Sequence, residues 1–199
     1  MTSIATPAAA TPATASTPKP DLLALIARSR EQLTAPGAPF ELAEVSVNGQ
    51  TLKAYRNAFA TLPALIDAGR VHGAREFMVY EGDRWTFERF YSAADALAGR
   101  LQAEHGLRAG DRVAIAMRNR PEWAVAFAAL ALLGAVPAPL NSFGLRDELL
   151  ANLRDLRPRW LICDAERFDH VGADLAGLDC RAVVVEGAPG QGDAAWAAL

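Results

Sequence analysis

Apolar residues recur at two periods along this chain, and the change from one to the other divides it. From Phe40 to Tyr55 hydrophobic and polar residues alternate, as in short half-buried strands, and Asn48-Gly49 interrupts them with the residues a tight hairpin turn favours. Phe77-Met78-Val79-Tyr80 and Arg84-Trp85-Thr86 flank Glu81-Gly82-Asp83 in the same way, which predicts a second hairpin. Helical spacing surrounds both. Asp21 can cap a helix carrying Leu22, Leu25, Ile26 and Leu33 that ends near Ala35-Pro36-Gly37, expected to be a docking helix outside the main sheet. Leu62, Leu65 and Ile66 predict a further helix toward Val71, with Pro63 in the first turn, where its missing N–H leaves no bond unmade. Thr86 opens another, whose Phe87, Phe90, Ala94, Leu97 and Leu101 fall on one stripe, and Gly106 is its stop.

From Arg112 onward short apolar runs alternate with helical stretches. Residues 113–117 read as a strand, Asn119 as the cap of a helix with Glu122 in a capping-box position, and Gly134 as that helix's end. Residues 135–140 predict the next strand, and residues 145–156 a helix with Leu149, Leu150, Leu153 and Leu156 inward, halted by Pro158. A third strand follows at 160–163, then a helix capped by Asp164 and running through Phe168, then a fourth strand at 181–185. Strands joined by helices of this length predict an α/β fold, with a mostly parallel sheet, right-handed crossovers and helices covering its faces. Gly187 to Asp193 reads as a flexible connector, and residues 194–199 as the first residues of a helical pattern cut short. The expected organisation is therefore a disordered Ala/Thr/Pro-rich tail at 1–20, the docking helix and hairpin at 21–60, an α/β subdomain at 61–186, and a linker with a truncated next element at 187–199.

Composition narrows the function. Half of the 199 residues are hydrophobic, enough for a real core, and a net charge of -3 gives no basic footprint for nucleic acid. The tail lacks the basic and apolar regions of a signal peptide. Residues 123–140 carry no charge, yet Gly134, Pro137 and Pro139 break them and many are alanine, so a buried helix and strand are expected rather than a membrane span. Cys163 and Cys180 form no Cys-x-x-Cys unit, which fits a reducing cytoplasm.

Candidate chemistry is sparse. His72, His105 and His170 are scattered without a second ligand type at metal spacing. The connector glycines could cradle phosphate, but no Gly-Lys-Ser/Thr follows them, and Lys19 and Lys53 are the only lysines. Asp111 after Gly110 is explained by turn chemistry. Asn119 and Glu122 lie near a strand's carboxyl end, where parallel sheets bind ligands, although capping accounts for both. No Gly-x-Ser-x-Gly occurs. No catalytic, cofactor-binding or metal-binding residue is assigned.

Gly110-Asp111-Arg112-Val113, Asn119-Arg120-Pro121-Glu122-Trp123, Gly134-Ala135-Val136-Pro137 and the Thr86-Phe87 helix start together resemble the amino-terminal part of an adenylate-forming (AMP-binding) enzyme of the acyl-CoA synthetase, or long-chain fatty-acid CoA ligase, type. The resemblance runs from about Thr61 to Val185. It implies a parent enzyme that uses ATP and magnesium to convert a carboxylate, preferably a fatty or similar aliphatic acid, to an acyl-adenylate and then passes the acyl group to coenzyme A. The family's Ser/Thr/Gly-rich loop ending in Pro-Lys, its aromatic-Gly-x-Thr-Glu motif, its ribose-binding Asp and its late catalytic Lys are absent, so no residue here inherits those roles. The expectation is a non-catalytic fragment that binds no cofactor alone, partners with the remainder of its enzyme and can self-associate. A non-catalytic interaction or regulatory module and a small-molecule binding domain are the alternatives.

Overall fold

The computed structural model describes residues 21–188 and 190–196, so the expected tail lies outside the described residues. The chain divides into two compact units at Ala58 and Phe59. In the first, Asp21 Oδ1 accepts the Leu23 N–H at 3.1 Å and caps α1 (Leu22–Thr34). Strands β1 (Leu42–Val47) and β2 (Gln50–Tyr55) pair antiparallel around Asn48 and Gly49, both at positive φ, as a two-residue hairpin turn requires.

In the second unit, Thr61 caps α2 (Leu62–Asp67). The expected continuation toward Val71 is instead a 3-10 turn, Ala68–His72. Gly69 lies there because a Cβ would collide with the Tyr91 hydroxyl. β3 (Glu76–Tyr80) and β4 (Asp83–Thr86) pair antiparallel, with Tyr80 opposite Asp83, so Glu81 and Gly82 alone form the turn. Thr86 Oγ1 accepts the Arg89 N–H at 3.1 Å and starts α3 (Phe87–Ala103), which buries Phe90, Ala94, Leu97 and Leu101 as its stripe predicts.

β5 (Arg112–Ala116), β6 (Val136–Pro139), β7 (Trp160–Asp164), β8 (Arg181–Val185) and β9 (Ala194–Ala195) form one parallel sheet in the order β6-β5-β7-β8-β9. Helices α4 (Pro121–Leu132), α5 (Arg146–Leu156) and α6 (Ala165–Val171) connect them. Side-chain alternation sorts the core into two layers. Val113, Ile115, Trp160, Ile162, Val183 and Val185 pack with α3 and α4; Ala114, Ala116, Leu161, Cys163, Ala182 and Val184 pack with α5 and α6. Buried on both faces, these strands are apolar almost throughout, as parallel strands between helix layers must be.

Three further details depart from expectation. Asn119 is not the cap of α4: Arg120 holds that position, extended at φ -155, with no side-chain cap bond. Pro121 decides this, since its ring suits the first helical position and drives the preceding residue out of the helical region. The connector is tied down rather than loose. Asp193 donates its N–H to the Ala182 carbonyl at 2.8 Å and accepts the Ala182 N–H at 2.7 Å, while Gln191 bonds Asp169 at 3.0 Å. A Cβ on Gly192 would lie 2.7 Å from a Val184 methyl, so the loop returns to the sheet only where no side chain intervenes. Ala194–Ala195 then forms β9 beside β8 instead of opening a helix, and residues 197–199 lie outside the described residues.

Gly134 ends α4 as expected, at φ +71, donating its N–H to the Ala131 carbonyl while Ala135 bonds Leu130. Along β6, Val136 and Leu140 send their N–H groups to the Asp111 and Ile115 carbonyls of the β5 segment. The alternate positions, which point away from the sheet, are Pro137 and Pro139. Among the described residues no helix is long and apolar enough to cross a membrane.

Candidate functional site

Strand order selects a location before any side chain is considered. From β5 the chain crosses to β6 on one side and then to β7 on the other, so successive connections diverge at the carboxyl ends of β5 and β7. Such a divergence leaves a crevice where parallel sheets take ligands. Here β5 runs on into Met117 and Arg118, β7 ends at Asp164, and β8 leads into Glu186.

Asp164, only 6% exposed, organises the crevice. Its Oδ2 accepts the Arg118 N–H at 3.0 Å, and its Oδ1 accepts the Arg167 N–H at 3.0 Å, capping α6. The Arg167 guanidinium, itself 2% exposed, meets both carboxylate oxygens at 3.1 and 3.2 Å and reaches Glu166 at 2.8 Å. One buried acid thus joins two strand ends and a helix start. In front lies a cleft of about 280 Å³ whose polar walls are Arg118, Arg120, Asp164, Glu166, Arg167 and Glu186. Arg120 bonds Glu186 at 2.6 Å, and the Arg118 guanidinium lies 3.8 Å from the Phe143 ring centre, a cation–π stack.

The walls of the cleft carry charge of both signs. Asp164, Glu166 and Glu186 are each engaged by an arginine. Among the described residues no group of three or more His, Cys, Asp or Glu could hold a metal ion. With the acids so engaged and no lysine after Lys53, these residues do not fit a magnesium nucleotide. The buried Arg118 Nη1, Arg120 Nε and Arg167 Nε have no hydrogen-bond partner, which leaves three donors in the cleft wall unspent.

The residues weighed from sequence are dispersed. Asn119 is exposed beside the cleft, and Glu122 lies 3.4 Å from Arg120. Asp111 lies at the opposite end of β5, accepting the Arg108 N–H at 2.8 Å and Arg159 Nη1 at 2.9 Å. His72 packs on Phe87 and His105 on Trp160, in separate regions. Sequence reading took Asp164 for a helix cap alone and missed its larger role. Its signal was an acid closing a fully apolar strand with an arginine three positions on.

The backbone N–H of Arg108, helped by Arg159, holds the Asp111 carboxyl below its ordinary range. A depressed folded-state value contributes stability above the unfolded-state pKa, and that contribution is lost as pH falls through the folded value. Asp111→Asn should therefore cost about 1–2 kcal/mol at neutral pH, and the difference from the parent should vanish in strong acid. Urea unfolding at a series of pH values checks this, and a pH-independent difference would contradict it.

Cys163 and Cys180 are free and buried; burial pushes the Cys180 thiol up to about 12 and that of Cys163 higher still. Thiolate is the reactive form, so both should resist a disulfide reagent at pH 8 until the chain unfolds. Release of one or more thiol equivalents from the native chain within minutes would overturn this.

A profile of the AMP-binding enzyme family matches residues 66–196. The 2-succinylbenzoate–CoA ligase of Bacillus velezensis is 34% identical over 100 residues, which is 50% of this chain and 20% of that enzyme. Human long-chain fatty acid transport protein 6 is 32% identical over 120 residues, 58% of this chain and 18% of that protein. The structure of the anthranilate CoA ligase AuaEII in complex with anthranoyl-AMP superposes with a TM-score of 0.64 at 21% identity, covering 69% of this chain and 27% of that one, a likeness of fold. The chain thus spans 20% and 18% of these two curated relatives.

Proposed function

The chain belongs to the AMP-binding enzyme family, and from that premise we propose that its 199 residues are the amino-terminal portion of an ATP-dependent acyl-CoA synthetase, without catalytic activity of their own. The parent reaction is activation of a carboxylate to an acyl-adenylate, followed by thioester formation with coenzyme A. One observation carries the proposal: the family match extends over residues 66–196, yet the part aligned with a CoA ligase is 20% of that enzyme, and the loop-and-lysine elements that the chemistry requires are absent from this sequence.

The site supports the same division of labour. Adenylation needs donors and cations placed where charge develops on the attacked carboxylate and on pyrophosphate. Arg120 and Arg167, which follow β5 and β7, are already occupied by Glu186 and by Asp164 and Glu166, so they brace the carboxyl edge of the sheet. ATP, magnesium and coenzyme A accordingly belong to the complete enzyme, and the remainder of that enzyme is the partner. The acid remains a carboxylate of unspecified class, since the relatives' names include both a succinylbenzoate and a long-chain fatty acid protein.

The coding sequence downstream of Leu199 tests the reading. A Ser/Thr/Gly-rich loop ending in Pro-Lys, followed by an aromatic-Gly-x-Thr-Glu motif, is expected. Absence of both in every frame would favour a non-catalytic interaction module.

A further inference from the structure

We draw no further inference here: the strongest candidate, the arginine-lined mouth of the cleft at the carboxyl ends of β5 and β7, where Arg120 meets the exposed Glu186, belongs to the site already described, and its ion pairs close among the chain's own residues.

Discussion

Asp164→Ala is expected to destabilise the second unit by about 3–5 kcal/mol, because it strands the Arg167 guanidinium, 2% exposed, without its main counter-ion. The same change removes the cap of α6 and the acceptor for the Arg118 N–H, so three local losses fall on one substitution. Against the roughly 5–15 kcal/mol of total stability usual for a domain, that is a large fraction of what holds the unit folded. Removing the charge along with the acid should reverse much of the loss. Asp164→Ala combined with Arg167→Met is expected to be more stable than Asp164→Ala alone, since a buried pair replaced by apolar groups often costs little. Urea unfolding of the parent, both single variants and the double variant closes the cycle. A loss below about 1 kcal/mol for Asp164→Ala would mean that solvent reaches Arg167 and that the pair is not a structural hub.

The purified chain is also expected to show no carboxylate-dependent exchange of pyrophosphate with ATP, and no tight binding of magnesium-ATP. Each missing oxyanion or phosphate donor removes roughly 3–4 kcal/mol from the transition state, and about 1.4 kcal/mol is a factor of ten in rate. Losing both a phosphate loop and a catalytic lysine therefore amounts to at least about 10⁴-fold, below detection for an enzyme of ordinary turnover. Isotope exchange with aliphatic and aryl acids, paired with calorimetry, provides the measurement. A micromolar dissociation constant for ATP would show that the cleft at the β5 and β7 ends binds nucleotide despite its mutually paired charges.

Local features of the fold were legible because each had a local cause. Asn48-Gly49 and Glu81-Gly82 occupy positive φ where the sequence pattern predicted turns, and Asp21, Thr86 and Asp164 cap the helices they precede. Asn119 misled because two local rules competed, and the fixed ring of Pro121 outweighed a capping-box spacing. β9 was hidden for another reason. Two alanines carry little strand preference, and what holds them beside β8 is the pair of hydrogen bonds between Asp193 and Ala182 together with the missing side chain of Gly192. The site was least legible. That Arg118 meets Asp164 across 46 positions follows from β5 and β7 being neighbours in the sheet, a fact of strand order that no window of sequence contains.

The two prolines of β6 make the sheet a template with a single usable side. Every outward backbone position between Val136 and Leu140 that could have offered a proton holds a ring nitrogen instead, so a strand approaching there finds acceptors without donors. A strand added at that margin would have to leave half of its carbonyls unanswered. Recruitment of a further strand is thereby directed away from the β6 margin. The same pair of rings that looks like a local irregularity in a strand gives the sheet a direction of growth.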